Sequence, residues 1–296
     1  MSQLPKGQFG IIINPAAGRG KGAAALERLL PEIQSAWDGE VRLYKTTGPG
    51  DGTVQAEKAI AEGAVILASA GGDGTLCEVI QATAPKQIPV LCLPNGTGND
   101  LVRTLGISSL EHAASLLQTG KVSNIDAGLL EGKRFVNILS CGFDAEVGDK
   151  INKRYRHLKG TAAYLAGVIS TLVSYKALPL TLEIDGTRVD RKVMLCAVAN
   201  AQTYGGGMKV SPHSVVDDGL LEVILVGEVS RFEFLKTFPK VFSGSHLSHP
   251  AISTYQGRRI KISSEKELAV GLDGDVIHRS EIEIVIDPLS VPIIVP

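Results

Sequence analysis

Cysteine is scarce in this chain, and neither sign of charge prevails. The four cysteines in 296 residues, Cys77, Cys92, Cys141 and Cys196, stand far apart, with no C-x-x-C pair and no histidine cluster beside them. That spacing excludes a disulfide framework and a zinc site, and leaves buried free thiols in a reducing compartment as the expectation. Net charge is −1 at pH 7, which removes the main electrostatic argument for a nucleic-acid binder. Long hydrophobic runs are missing too. Met1 to Gln8 holds no apolar core long enough for a signal peptide. The longest apolar helical stretch, about Thr161 to Val173, carries Ser and Thr and falls short of a bilayer span. Internal repeats and low-complexity segments are absent. A cytoplasmic protein is expected.

What is present suffices for a core. Hydrophobic residues make up 44% and charged residues 21%, the balance of a globular chain, and the length allows two domains or one large one. The most informative stretch runs from Ala64 to Ile80. The charge-free run Ala64–Ala70 reads as a strand buried on both faces, as in a parallel sheet. Gly71, Gly72 and Gly74 follow, removing three Cβ atoms from a turn that a ligand can then approach closely. Thr75 and Glu78 have the spacing of a capping box, and a helix start is a ready anion site.

Asp73 sharpens that reading. A carboxylate beside bound phosphate is repelled by roughly 4 kcal/mol for unit charges about 4 Å apart at an effective dielectric near 20. Its presence makes sense if a divalent cation lies between, or if it orients a hydroxyl or water. The loop therefore points to Mg²⁺ with a nucleotide. Taken alone, it also fits a tight Asp-Gly turn before an ordinary helix.

Other loops converge on the same chemistry. Phe9–Asn14 reads as a first strand, followed by Pro15 to Gly22 and a helix from Ala23 to about Trp37. Gly18, Gly20 and Gly22 match a dinucleotide fingerprint only loosely, and no Walker A loop is present. Strands over Glu40–Thr46 and Ile88–Leu93 end in Thr47–Gly52 and Pro94–Asp100, each leading into a helix. Strands alternating with helices mean right-handed βαβ units, whose loops gather at the strands' carboxyl ends, where ligands bind.

The pattern changes after about Asn124. Ile125–Leu130 and Arg134–Leu139 read as a hairpin, two helices cover Ala145 to Tyr175, and strands dominate from Pro179 onward: Leu180–Ile184, Val193–Ala199, Leu220–Val226, Ile260–Ile262, Leu268–Gly271 and Ile282–Ile286. Asp185-Gly186 and Asp273-Gly274 supply turns, and one helix falls near Arg231–Phe242. The expected architecture is α/β: a parallel-sheet domain over residues 1–124, then an antiparallel β domain over 125–287. Pro288 and Pro292 point to a terminal strand, 288–296, that returns to the first domain.

Together these motifs resemble the diacylglycerol kinase catalytic family, which includes sphingosine kinases and small bacterial lipid kinases. The match runs nearly the full chain: Asn14-Pro15 with Gly18, Thr46, Gly71 to Val79, Pro94 to Leu101, Gly142 to Ala145, Asp218-Gly219-Leu220, and Asp273-Gly274-Asp275. The resemblance implies an NAD-kinase-like nucleotide domain, a β-sandwich domain, and ATP in the cleft between them. It implies ATP contacts from Asn14, Pro15, Gly18, Thr46, Gly72, Asp73, Gly74, Thr75, Glu78, Gly96, Thr97, Asn99 and Asp100. Asp73 and Asp100 would organise phosphates and Mg²⁺, and Asp273 and Asp275 would match the acidic pair at the reacting hydroxyl. Asp218 and the Leu220 carbonyl would match a metal site that some bacterial members use structurally, with Val215 where a further side-chain ligand stands.

Three departures from the family pattern stand out. Cys77 replaces the usual Asn, Val215 replaces a metal ligand, and Asp275 replaces the usual Glu. The expected activity is transfer of the γ-phosphoryl of ATP to a lipid hydroxyl, diacylglycerol-like, phosphatidylglycerol or sphingoid. A nucleotide-binding regulator without that activity and a soluble-substrate kinase of the NAD kinase class are the alternatives. A lipid partner implies contact with a membrane surface, and Lys153, Arg154, Arg156, His157 and Lys159 within Ile151–Leu178 offer a basic end for it. No nucleic-acid partner is expected, and a homodimer is left open.

Overall fold

The apolar runs of the first half become parallel strands in the computed structural model, which describes residues 4–143, 145–147, 170–172, 175–273 and 275–296. Strands β1 (Gln8–Ile13), β2 (Val41–Lys45), β3 (Ala64–Gly71) and β4 (Val90–Pro94) lie in the order β2-β1-β3-β4. Their registers are parallel throughout, as in Ile11↔Leu43, Ile11↔Ala68 and Ala68↔Leu91. The crossovers are α1 (Lys21–Ala36), α2 (Asp51–Ala61) and α3 (Asp73–Thr83), and α4 (Asp100–Thr104) and α5 (Leu110–Thr119) follow β4. Strand β3 is buried along almost its whole length, as a strand with both faces covered must be. The chain steps outward in opposite directions from β1 and β3, so the loops at their carboxyl ends diverge and leave a crevice.

The second half is antiparallel. It contains β5 (Lys121–Leu130), β6 (Lys133–Phe135), β7 (Ile138–Gly142), β8 (Leu178–Ile184), β9 (Thr187–Ala199), β10 (Leu221–Gly227), α6 (Arg231–Thr237), β11 (Ile252–Gly257), β12 (Arg259–Leu272) and β13 (Asp275–Val295). Strands β9 and β12 each serve two layers, pairing through one half with β8 and through the other with β7. The core between the layers is made by Leu139, Leu182, Val198, Val223, Ile262 and Ile284, all buried.

Several elements differ from the sequence expectation for identifiable reasons. Ile260–Ile262 and Leu268–Gly271 belong to one strand, β12, with a register shift between Ser263 and Leu268. The exposed Glu265, Lys266 and Glu267 between them run through solvent, so the strand continues without an apolar signal. Strand β11 has no counterpart in the expectation, because it is an edge strand with a polar face that pairs only with β10. The helix from Arg231 ends at Thr237 and tightens into a 3-10 turn, Phe238–Phe242, where Pro239 cannot donate to the helical ladder. The two helices expected over Ala145–Tyr175, with the basic cluster from Lys153 to Lys159, fall largely outside the described residues.

The most telling difference lies at Arg134–Leu139. Strand β6 forms the expected hairpin with β5, but the chain then departs, and β7 lies between β9 and β12. At the break, the Val136 and Ile138 N–H groups donate to the Asp273 carboxylate at 3.1 and 3.3 Å. The Asn137 carbonyl accepts from the Asn200 and Ala201 N–H groups at 2.9 and 3.1 Å.

A two-stranded ribbon joins the halves. Strand β13 pairs with β12 through its first part, with β5 from Ile284 to Val295, and with β4 in parallel at Ile293↔Val90. Its register on β5 shifts between Asp287 and Val291, where Leu289 has φ 49°. The Leu289 N–H freed by that shift donates to Asp126 Oδ1 at 2.7 Å, and Asp126 Oδ2 accepts from the Gly219 N–H at 2.7 Å. Asp126 is fully buried, so these charge-assisted bonds replace its hydration. In Asp126→Asn, one of the two N–H groups meets the amide nitrogen and is left unpaired. Denaturant unfolding should then show a loss of about 1–3 kcal/mol, and an unchanged midpoint would mean that this carboxylate does not hold the ribbon.

Candidate active site

A cleft of about 450 Å³ opens at the carboxyl ends of β1, β2 and β3, lined by Asn14, Pro15, Thr46, Thr47, Gly74, Thr75 and Glu78 among others. Local chemistry explains its shape. Asn14 turns the chain after β1, its Oδ1 accepting from the Ala16 N–H at 3.0 Å while its Nδ2 donates to Thr75 Oγ1 at 3.1 Å. Buried Thr46 extends from β2, with its N–H on the Ile13 carbonyl at 2.9 Å. Gly74 faces open space, since a Cβ built there meets no atom within 4 Å. Asn14, Thr46, Thr47, Thr75 and Glu78 bring polar groups to its wall, and the N-terminus of α3, with its partial positive charge, points into it.

Thr75 and Glu78 do not form the capping box that their spacing predicts. Helix α3 begins at Asp73, with Gly72 as its cap residue and no side-chain cap. Thr75 therefore falls inside the helix, on Asn14. Glu78 instead caps the neighbouring helix α2, its two oxygens accepting from the Gly50 and Gly52 N–H groups at 2.7 Å each. It thus fixes the loop that forms the cleft's outer wall.

The loop after β4 closes the other side of the motif. Asn99, at φ 54°, braces it by accepting from the Gly96 N–H at 3.1 Å and donating to the Gly96 carbonyl at 3.0 Å. Gly96 lies against Gly72, and a Cβ on Gly18 (φ 58°) would come within 2.7 Å of the Asn95 carbonyl oxygen. Gly18, Gly72 and Gly96 therefore let three loops touch, whereas Thr97 is exposed.

Asp73 and Asp100 are brought together, with different fates. The Asp100 N–H donates to Asp73 Oδ1 at 2.7 Å. Asp100 itself is buried, and its own two oxygens accept from the Gly206 and Gly207 N–H groups at 2.9 and 2.8 Å. Gly205, Gly206 and Gly207 all have positive φ, which turns successive amides inward as an anion-holding nest. Burial, and then the negative charge of Asp100, hold the Asp73 carboxyl above its usual range.

Asp273 stands at the β12–β13 hairpin, at φ 44°, beside the Leu272↔Asp275 pair. Burial pushes its carboxyl up to about 6, against the two amide bonds from Val136 and Ile138, with the Asp73 charge adding to the rise. Cys77, one helical turn beyond Asp73, lies close to it, with its thiol on the Arg134 carbonyl at 3.5 Å. Asp273 from the second half therefore faces the first turns of α3. The Asp275 side chain lies outside the described residues.

An apolar cavity of about 110 Å³ shares Ile138 with this carboxylate. Ile138, Ser140, Phe143, Leu195, Met208, Ile224, Phe234, Phe238 and Val241 are among the residues that line it. Ile138 links the two features, as its N–H holds Asp273 and its side chain forms cavity wall.

The Asp218 turn fits a side-chain metal centre poorly. Asp218 Oδ1 accepts from the Leu220 N–H at 2.9 Å, and Val215, about half exposed, brings no donor atom. Asp126 Oδ2 on the Gly219 N–H holds the turn from below. Among the described residues, no group of three or more His, Cys, Asp or Glu is placed to hold a metal ion. Mg²⁺ accompanying a nucleotide is a different case. It needs only one or two carboxylates besides phosphate, and the crowded negative charge at Asp73 suits a cation.

Sequence reasoning missed three supports: Asp126, the Gly205–Gly207 nest and Asn200. Buried Asn200 donates through Nδ2 to the Asp126 and Val136 carbonyls at 2.9 and 3.1 Å. The available signals were a lone acid in the apolar run Ile125–Leu130, three consecutive glycines, and an Asn ending the run Val193–Ala199.

Comparison with known proteins places this architecture. The diacylglycerol kinase catalytic domain model matches residues 8–130, and that of the YegS C-terminal NAD kinase beta sandwich-like domain matches residues 137–295. The chain belongs to the diacylglycerol kinase catalytic-domain family, a family of lipid kinases, and is a phosphotransferase. It is 29% identical over 269 residues to a diacylglycerol kinase of Bacillus subtilis, covering 90% of this chain and 88% of that one. It is 30% identical over 246 residues to one of Mycobacterium tuberculosis, covering 80% and 79%. A crystal structure of a diacylglycerol kinase from Bacillus anthracis shares the fold, with a TM-score of 0.75 at 22% identity, over 98% of this chain and 97% of that one.

The contact between loops gives a direct test. A Cβ on Gly96 would overlap the Gly72 Cα, both backbone positions with little room to move. Gly96→Ala should therefore lower unfolding free energy by about 1–3 kcal/mol. Denaturant titration reads this, and a stability equal to wild type would show that the loops do not meet so closely.

Proposed function

We propose that this kinase moves the γ-phosphoryl group of ATP to the hydroxyl of a lipid, with residues 1–124 holding nucleotide and 125–287 holding acceptor. The observation that carries the reading is the position of Asp273. Its carboxylate is tied through Ile138 to an apolar cavity on one side and faces Asp73 and Cys77 of α3 on the other. A proton acceptor is thus set between the first turns of α3 and an apolar cavity. ATP phosphates lie along Asn14, Thr46, Gly74 and Thr75, and an acyl or sphingoid chain enters the cavity behind Ile138. Diacylglycerol-like, phosphatidylglycerol and sphingoid acceptors share that chemistry, and an acceptor held in a bilayer brings the enzyme to a membrane surface.

In the reaction, the acceptor oxygen bonds to the γ-phosphorus while the bond to the β-phosphate oxygen breaks and ADP leaves. The hydroxyl proton passes to Asp273, a transfer worth roughly 10²–10⁴-fold. Alignment of the two substrates supplies much of the remainder. Asp73 would hold Mg²⁺ beside the nucleotide, and the ion would supply charge neutralisation there. Gly74 keeps the phosphate approach open. Asp275, two residues from Asp273, is the second candidate for the base.

Gly74 gives the first test of this assignment. Because a Cβ there points into open space, Gly74→Val should fold and melt like wild type yet bind MgATP at least about tenfold more weakly in calorimetry, its branched side chain filling the phosphate site. Unchanged affinity would remove ATP from this cleft.

The second test is pH. A base must be ionised, so kcat/KM should fall as pH drops through about 6, the level to which burial raises Asp273, and level off above it. In Asp273→Asn the limb should vanish and turnover should fall by at least roughly tenfold. A variant that retains both turnover and the acid limb would exclude Asp273 and turn attention to Asp275.

A further inference from the structure

The segment over the apolar cavity has two faces. Its inner residues, Phe234, Thr237, Phe238 and Val241, recur at helical spacing and line the cavity. Its outer residues include Phe232, 78% exposed, Leu235, 53%, and Phe242, 54%. These are three of the exposed large hydrophobic residues of the described chain, gathered in one short segment. Lys236 and Lys240 stand exposed among them. Glu233 is turned aside, its Oε1 accepting from His249 Nε2 at 3.1 Å, so it does not cap the lysines.

Aromatic contacts run through the segment from inside to outside. Phe143 meets Phe234 at a ring separation of 4.9 Å, Phe234 stacks on Phe238 at 5.7 Å, and Phe238 meets Phe242 edge-on at 6.4 Å. The exposed patch is therefore continuous with the cavity lining. Exposed rings interspersed with lysines complement the interface of an anionic phospholipid bilayer, where aromatic side chains settle at headgroup level and cations meet the surface charge.

We propose that the outer face of residues 231–242 is the surface by which this protein docks on an anionic phospholipid bilayer. Docking through Phe232, Leu235 and Phe242 sets the far side of the cavity wall against the lipid. The further role of delivering acceptor through that wall rests on the lipid kinase reading above, whereas the docking itself does not.

The test is co-sedimentation of the full chain with vesicles of phosphatidylcholine alone, or of phosphatidylcholine and phosphatidylglycerol in equal parts. Wild type should partition onto the mixed vesicles at least about tenfold better than onto phosphatidylcholine, and lose this advantage in high salt. Phe232→Ser with Leu235→Ser, and separately Lys236→Glu with Lys240→Glu, should each lower partitioning about tenfold or more. Circular dichroism should be unchanged, since these side chains are exposed. If the apolar variant fails to fold, the charge variant decides alone. Failure of wild type to bind mixed vesicles, or equal binding by folded variants, would overturn the proposal. Light scattering that shows a dimer dissolved by these same substitutions would assign the face to a second copy and overturn it as well. Phosphorylation of diacylglycerol in detergent micelles is followed in parallel. Its absence with docking intact would remove diacylglycerol as the acceptor and leave the docking surface standing.

Discussion

Main-chain amides satisfy the buried and partly buried carboxylates at the joint of this molecule, and most of its geometry follows from that constraint. Asp100, from the first half, is held by the Gly206 and Gly207 N–H groups of the second. Asp126 on β5 accepts from Gly219 and Leu289, and Asp273 accepts from Val136 and Ile138. A buried carboxylate without partners is costly enough to unfold a domain or to take up a proton. Here each one is compensated by backbone donors from a distant part of the chain, and the donors are free because their own ladders are interrupted. The register shift of β13 at Leu289, the break between β6 and β7, and the positive-φ run Gly205–Gly207 are the same event seen three times.

This arrangement adds polar ties between the two halves to the apolar core that Ile125, Val136, Ala201, Val291 and Ile293 share with the first. The Asp100 N–H holds Asp73 while the Asp100 carboxylate holds the Gly206–Gly207 loop, so the β3 and β4 loops are tied to the second half. Asp273 is aimed in the same way. Its left-handed backbone is tolerated by an aspartate in a tight hairpin, and its two amide partners fix the carboxylate where β7 begins. A general base needs that rigidity more than it needs hydrogen-bonding to its neutral form. The cost of burying it is what brings its ionisation toward the working pH. Under the proposed mechanism, structural and chemical roles coincide on one side chain.

The apolar cavity has its own logic. Strands β7, β9 and β10 present one face to the central core and the other to α6 and the 3-10 turn that follows. A helix of this length has little stability of its own, so its inner phenylalanines anchor it, through stacking against Phe143 and one another. The polar bond between Glu233 and His249 adds a second tether.

Much of this molecule was legible in the sequence. The charge-free run Ala64–Ala70, the glycines of Gly71–Gly74 and the alternation of strands with helices are local signals. They depend on periodicity and turn chemistry within a few residues, and they identified four parallel strands and the cleft residues Gly74 and Thr75, whereas Asn14 and Thr46 were reached only through the family resemblance. What misled were signals whose meaning lies across the fold. Glu78 has capping-box spacing from Thr75, yet it caps a different helix, because Gly50 and Gly52 come within reach only after α2 packs on α3. The polar stretch Ser263–Glu267 looked like a break because the sandwich edge it crosses exists only when two layers have assembled. Asp126 and Asn200 carried no readable role, as their partners lie tens of residues away or more. The sequence by itself determined which segments become strand, helix or tight turn, since those choices are made by neighbouring residues. Tertiary structure alone decided which amide each buried carboxylate would meet, because that pairing is set by desolvation, which a chain experiences only once it has closed.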